Sequence, residues 1–119
     1  MAKTNKSISI NIVHDVLLVS IPMDLKDNEI DDLQSRILQN SKSYDLKAVI
    51  LDISKVDIID SFFARAIADT AQMINLMGLE TVLCGMRPNV AITTVELGFE
   101  FGNVEFAFNV NQAFEKLDS

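Results

Sequence analysis

Three aspartates and a serine lie close together near the middle of the chain: Asp52, Asp57, Asp60 and Ser61. Clustered carboxylates can bind a divalent cation, and a carboxylate after a strand can accept a phosphoryl group. The same residue types also cap the first turn of a helix. A serine hydroxyl at such a turn can itself be a cap, or it can be a modifiable group. This segment is the part of the sequence best suited to chemistry.

The surroundings of Asp52 argue against a metal site or an aspartyl phosphate. A phosphate-accepting aspartate of the two-component receiver type needs an acidic pair after the first strand, to hold magnesium, and a lysine after the last strand. The comparable segments here are residues 12–14 and 106–108, and they supply neither. We therefore expect Asp52, Asp57 and Asp60 to be solvated or helix-capping residues.

The other reactive side chains carry no enzyme signature. His14, the single histidine, falls in a predicted hairpin turn, where we expect a solvated side chain and not a general base. Cys84, the single cysteine, lies in an apolar run and is expected to be a small buried thiol. The sequence has no glycine-rich phosphate loop, no paired Cys or His spacing and no glycine-flanked serine. We predict that the protein is not an enzyme and has no catalytic residue, metal or cofactor.

Composition and charge limit the possible partners. The chain has 119 residues, 49% of them hydrophobic, which suits one domain with its own core. Its formal net charge of −7 disfavours nucleic acid and anionic membranes, because both bind basic surfaces. The apolar stretches are far shorter than the roughly 20 residues of a membrane span, and no apolar signal core follows residues 1–6. We expect a cytoplasmic, protein-binding domain over residues 1–119, with a flexible tail over residues 1–6.

Hydrophobic periodicity predicts an α/β domain. Alternation over residues 8–12 and an apolar run over residues 16–21 predict a hairpin. Apolar residues at three- and four-residue intervals, with helix start and stop signals, predict helices at residues 27–41, 61–77 and 88–97. A last helix is predicted to begin at Asn109 or Asn111. Strands are predicted at residues 48–53, 79–84 and 104–108. Helices and strands that alternate in this way favour a mixed, mainly parallel β-sheet with an N-terminal hairpin and about four helices.

The turn before the second predicted helix is the most informative segment. Asp60 or Ser61 can cap this helix, and if Asp60 does so, the Ser61 hydroxyl is available for modification. Phe62 and Phe63 are consecutive, so the helix cannot point both rings into one core stripe. We expect one ring to face solvent beside Ser61, and an apolar patch next to a modifiable group indicates a contact site.

Several motifs in the chain resemble one protein family. They are the Asp-Ser pair at residues 60–61, Leu-Met-Gly at 76–78, and Gly-Met-Arg-Pro at 85–88 with its Glu-Leu-Gly ending at 96–98. Together they resemble the STAS domain of anti-sigma-factor antagonists, and more narrowly the stressosome branch, over nearly the whole chain. Longer subunits of that branch carry an N-terminal sensor domain and threonine phosphoacceptors. This sequence has a serine at position 61 and no such domain, so it is similar to the short scaffold subunit.

The resemblance implies a regulatory role. In that family the serine matching Ser61 is phosphorylated by a partner serine kinase (RsbT-like), the unphosphorylated scaffold holds that kinase inactive, and an RsbX-like phosphatase resets the site. A longer, RsbR-like STAS subunit is the implied assembly partner. A mean hydropathy of +0.24 agrees with surface that is buried in a homo- or hetero-oligomer. The implied pathway is a stress response.

The residues predicted to bind partners surround the serine: Asp60, Phe62, Phe63, Arg65 and Arg87. Arg65 lies four residues after Ser61, where it can pair with a phosphate or with a partner carboxylate, or remain a solvated arginine. Arg87 is a similar candidate. Three other classes of function stay open: a free anti-sigma-factor antagonist that binds an anti-sigma kinase, an enzyme or receiver that uses Asp52, and a purely structural adaptor.

Overall fold

The chain opens with the hairpin that the sequence predicts. The computed structural model of the protein describes residues 8–118, so the predicted flexible tail over residues 1–6 lies outside the described residues. Strand β1 (Ser9–Val13) pairs antiparallel with β2 (Val16–Ser20), and residues 14–15 form the turn. His14 adopts a φ of 58° and is exposed, as expected for a solvated residue of a tight hairpin turn.

The remaining elements alternate between helix and strand. The strands are β3 (Ala48–Asp52), β4 (Glu80–Cys84) and β5 (Glu105–Ala107). The helices are α1 (Asp27–Ser43), α2 (Ser61–Leu76), α3 (Pro88–Leu97) and α4 (Val110–Asp118). The sheet has the order β1-β2-β3-β4-β5, and every pair after the hairpin is parallel. The predicted mixed, mainly parallel sheet with four helices is confirmed.

Local signals set the ends of the helices. Pro88 occupies the first position of α3, where its missing N–H costs no hydrogen bond, and Gly98 ends that helix with a φ of +78°. The Asn109 side chain accepts a hydrogen bond from the backbone N–H of Gln112 at 2.9 Å, so Asn109 caps α4 and Asn111 does not. Helix α1 runs two residues beyond its predicted end, whereas α2 and β5 are shorter than predicted.

Two hydrophobic cores lie on opposite faces of the sheet, because successive side chains of a strand point to opposite sides. The larger core is formed by alternate residues of β2, β3 and β4 against α1, α2 and α3. The smaller core is formed by the other residues of these strands against α4: Val16, Ala48, Ile50, Val82, Cys84 and Ala113. Strand β3 is therefore buried on both faces, as its apolar run predicts.

Helix α3 buries little of its apolar surface. Only Val90 and Thr94 are buried, while Ile92 is 60% exposed and Val95 is 77% exposed. Apolar residues lie on more than one side of this helix and form no single hydrophobic stripe, so the sequence does not indicate which side faces the core. No helix in the described part of the chain is long and apolar enough to cross a bilayer.

Candidate functional site

The predicted site lies at the carboxyl edge of the parallel strands. Strand β3 ends at Asp52, and residues 53–60, the long loop, lead from it to α2. Strand β4 ends at Cys84, and residues 85–87, the short loop, lead to α3. In open α/β sheets, ligands bind outside the carboxyl ends of the strands, which is the edge that carries these two loops.

Asp60 alone caps α2. Its backbone is extended, with φ −117° and ψ 177°, and its carboxylate accepts a hydrogen bond from the backbone N–H of Phe63 at 2.8 Å. Ser61 is the first residue of the helix and is exposed. Among residues 8–118 its hydroxyl has no hydrogen-bond partner. The capping function and the serine hydroxyl are thus separated onto two neighbouring residues.

The two consecutive phenylalanines point in different directions. Phe63 is 6% exposed and packs in the larger core. Phe62 is 46% exposed and stands on the surface directly after Ser61. One ring faces outward, as expected from the helical spacing, and Phe62 is the ring that a partner could contact.

A groove of about 340 Å³ between α1 and α2 begins at Phe62. Its apolar lining comes from Ile30, Phe62 and Ala66. Its charged and polar lining residues are Asp27, Asp31, Gln34, Arg65 and Asp69. The surface next to Ser61 therefore combines an exposed aromatic ring with a mostly acidic groove.

Arg65 lies one helical turn after Ser61, and its guanidinium carbon is 5.4 Å from the ring centre of Phe99. This is a cation–π contact, and within the described chain Arg65 forms no ion pair. Phe99 follows α3, so the contact joins α2 to the end of that helix. The sequence gives no indication of this neighbour, because a contact between residues so far apart in the chain leaves no local signal.

The short loop packs tightly against the long loop at Gly85. Gly85 has a φ of +80°, and a Cβ at this position would lie 2.8 Å from Cβ of Ser54 and 3.0 Å from a carboxylate oxygen of Asp52. Only glycine combines this backbone conformation with so close an approach. The glycine of the Gly-Met-Arg-Pro motif thus fixes the distance between the two loops.

Two hydrogen bonds tie α3 to the long loop. Arg87, the residue before α3, donates from Nε to the backbone oxygen of Ser54 at 3.1 Å. Asn89 donates from its side-chain amide to the backbone oxygen of Asp57 at 2.7 Å. Arg87 is exposed at the carboxyl edge of the sheet. Its guanidinium thus faces solvent and also holds the long loop.

The three aspartates of this segment have separate local roles. Asp52 accepts a hydrogen bond from the backbone N–H of Ser54 at 3.0 Å, and Asp60 caps α2. Asp57 is half-buried and is held through its backbone oxygen. In the chain from residue 8 to 118, no three His, Cys, Asp or Glu side chains are grouped so that they could hold a metal ion.

The family can be assigned from comparison with known proteins. The family model for the STAS domain matches residues 7–115. This chain belongs to the STAS domain family. The match covers every strand and helix of the fold apart from the end of α4, and it confirms the family that the sequence motifs indicate.

Two solved structures have folds similar to this one. RsbS of Moorella thermoacetica, in a variant with a serine-to-glutamate substitution, superposes with a TM-score of 0.80 at 29% identity, covering 93% of this chain and 94% of that one. A chain from a structure described as the molecular architecture of the stressosome, a signal integration and transduction hub, gives a TM-score of 0.82 at 31% identity, covering 92% and 96%.

A sequence relative comes from Bacillus subtilis (strain 168). The RsbT co-antagonist protein RsbRD is 38% identical over 69 residues, which are 58% of this chain. The match spans 25% of the length of that relative. This STAS domain is thus similar to RsbS over 93% of its length and to one part of RsbRD over 58% of its length.

Proposed function

We propose that this STAS domain is a stressosome scaffold subunit that binds and sequesters a serine/threonine kinase, and that it releases the kinase when Ser61 is phosphorylated. The observation that carries the proposal is the exposed Ser61 hydroxyl, which has no capping duty because Asp60 performs it. Similarity to RsbS and to a stressosome chain supports assembly with RsbR-like subunits. The name of RsbRD as an RsbT co-antagonist supports an RsbT-like kinase as the partner.

The fold should tolerate a phosphate on Ser61. The first turn of α2 presents N–H groups that have no partner within the helix, and the helix dipole favours an anion there. A phosphoserine adds roughly −1.5 to −2 charges at neutral pH, and at a helix start this charge is stabilising. Phosphorylation is therefore expected to change binding and not folding.

A docked partner should not tolerate the same phosphate. The new charge would lie next to the Asp60 carboxylate and beside the exposed ring of Phe62. A partner that packs on Phe62 would have to move away or desolvate the phosphate, and desolvation costs several kcal/mol. Arg65, one turn along, can leave Phe99 and pair with the phosphate, which would also alter the docking surface.

In this proposal the domain contributes binding, and its partners contribute the chemistry. The kinase transfers phosphate to Ser61, and an RsbX-like phosphatase removes it. Phe62, Arg65 and the α1–α2 groove form the docking surface. Asp60 and Arg87 hold the helix start and the loop in place, and Phe63 anchors the first turn of α2 in the larger core.

The test compares variants of Ser61 with the wild type in binding to an RsbT-like kinase. Ser61→Ala should bind the kinase equally well before and after ATP is added, because it cannot be phosphorylated. Ser61→Asp should bind at least about tenfold more weakly than the wild type, a loss of about 1.4 kcal/mol. Ser35→Asp is the matched control, since it adds the same charge at an exposed position of α1 and should bind normally.

Mass spectrometry of the wild type after incubation with kinase and ATP should place the phosphate on Ser61. Phosphate found only at other positions, or undiminished binding of Ser61→Asp, would overturn the proposal. Pull-down with an anti-sigma kinase in parallel separates the scaffold from a free anti-sigma-factor antagonist. Light scattering of a mixture with RsbR-like subunits should show a large assembly, and a monomer in that mixture would contradict the scaffold role.

A further inference from the structure

The sheet has two edges, and within residues 8–118 only one of them is protected. Edge strands carry unpaired N–H and C=O groups that attract other strands, and native proteins block them with charge, proline, bulges or short length. Strand β5 is three residues long, includes Glu105, and is held by Lys116, which pairs with that carboxylate at 3.5 Å and donates to the backbone oxygen of Phe106. This edge carries the usual protection.

Strand β1 has none of these devices. Within residues 8–118 it pairs with β2 on one side and with no strand on the other. Its five residues, Ser-Ile-Asn-Ile-Val, include no charge and no proline. It pairs residue for residue with β2, without a bulge. This edge is therefore open for another strand.

The hairpin turn determines which backbone groups of β1 point outward. In a hairpin with a two-residue turn, the residues that flank the turn form a hydrogen-bonded pair, and hydrogen-bonded and non-hydrogen-bonded pairs then alternate. Val13↔Val16 and Asn11↔Leu18 are accordingly hydrogen-bonded pairs. The N–H and C=O groups of Ile10 and Ile12 face away from β2, toward the open edge.

The side chains of the same two residues are also incompletely covered. Ile10 and Ile12 pack against the larger core but are only half-buried, unlike Leu17 and Val19 beside them on β2, which are fully buried. A further strand beside β1 would cover both isoleucines. Unpaired backbone groups and uncovered apolar side chains thus coincide at two residues.

We propose that a second copy of this chain pairs with β1 antiparallel, around a two-fold axis at Asn11, and joins the two sheets into one. Ile10 then lies opposite Ile12 of the second copy, and the two isoleucine pairs exchange four backbone hydrogen bonds. Asn11 faces itself across the axis in a non-hydrogen-bonded pair, with Cα atoms about 4.5 Å apart. This register uses all five residues of β1.

A second copy fits this edge for reasons of symmetry and charge. Antiparallel pairing of one strand with itself is two-fold symmetric, which is the commonest arrangement of protein dimers. Two chains of net charge −7 repel each other over most of their surface, but the five residues of β1 bear no charge. Pairing of one short strand buries less than the roughly 1,000 Å² of a stable interface, so the dimer is weak and depends on concentration.

Sedimentation velocity across protein concentrations from about 1 µM to 1 mM measures this equilibrium. The wild type should shift from monomer toward dimer as concentration rises. Asn11→Lys should raise the dissociation constant at least about tenfold, because two lysines would face each other on the axis. Gln72→Lys is the matched control, because it makes the same charge change at an exposed position of α2. Helix α2 contacts β4, which lies away from the β1 edge of the sheet, so this variant should dimerise as the wild type does.

Cysteine crosslinking tests the register. Under mild oxidation Asn11→Cys should form a disulfide-linked dimer, because a Cα separation of about 4.5 Å lies within the range for disulfides. Ser9→Cys should not crosslink, since the two copies of this residue would be about 13 Å apart. The native Cys84 is fully buried and should not compete. A chain that is monomeric at 1 mM, association unaffected by Asn11→Lys, or equal crosslinking of Ser9→Cys would each overturn the proposal.

Discussion

The two loops at the carboxyl edge of the sheet contribute to the site in opposite ways. The long loop, residues 53–60, ends in the Asp60 cap and leaves Ser61 and Phe62 on the surface. The short loop, residues 85–87, follows the buried Cys84 and packs Gly85 against the long loop. One loop presents a site, and the other holds it in place. A modifiable residue is positioned well only when such a neighbour restricts the loop that carries it.

The largest effect should come from filling the space between the two loops. Gly85→Ala places a Cβ 2.8 Å from Ser54 in a backbone conformation that alanine disfavours. We expect the free energy of unfolding to fall by about 3 kcal/mol, measured by urea denaturation. Gly98→Ala is the matched control: its φ is similar, at +78°, but nothing lies within 4 Å, so it should lose only about 1 kcal/mol. Equal losses would show that the loops do not brace each other.

A smaller effect should follow from removal of the cap on the long loop. Asp60→Ala removes the acceptor for the N–H of Phe63 and should cost about 1 kcal/mol of stability. Asp60→Asn keeps a capping side chain and should cost much less. If Ser61 took over as the cap, Asp60→Ala would be nearly neutral. Thermal or urea unfolding measures this loss. A neutral result would contradict the assignment of the cap to Asp60 alone, on which the availability of the Ser61 hydroxyl depends.

The smallest effect at neutral pH concerns the thiol below the short loop. Burial, with a lesser contribution from the charge of Asp52, raises the pKa of Cys84 from 9.0 to about 12. Between pH 9 and about 12 the thiol therefore keeps its proton in the folded state and loses it in the unfolded state. The contribution of Cys84 to the free energy of unfolding is fully present below about pH 9 and decreases as pH rises toward 12.

A thiol reagent such as DTNB at pH 8 should leave Cys84 unmodified in the folded protein and react with it in urea. Between pH 9 and 11 the wild type should lose stability faster than Cys84→Ala, by up to about 1.4 kcal/mol per pH unit. Rapid reaction of the folded protein at pH 8 would contradict the burial of this residue and weaken the contrast with the exposed Ser61.

Features that depend on neighbouring residues could be predicted from the sequence. The Asp60 cap, the start of α3 at Pro88 and its end at Gly98 are each encoded within one turn of helix. The outward ring at position 62 or 63 follows from helical spacing, although spacing alone does not say which ring it is. The alternation of strands and helices is likewise a property of short windows, and it was enough to predict the sheet.

Features that depend on distant residues could not be predicted in this way. The contact of Arg65 with Phe99 and the approach of Gly85 to Ser54 join segments that only the finished fold brings together. The exposed side of α3 was also not predictable, because the apolar residues of that helix do not form a single stripe. Roles of the site residues in binding a kinase remain a prediction, since they depend on a second molecule.

The smaller core has a consequence for partial unfolding of the domain. Its strand residues come from β2, β3 and β4, and α4 is the helix of the described chain that covers them. If α4 separated from the sheet, Val16, Ile50 and Val82 would be exposed to water on one face. A domain with α4 displaced therefore presents an apolar surface that favours aggregation, and the packing of α4 removes that surface.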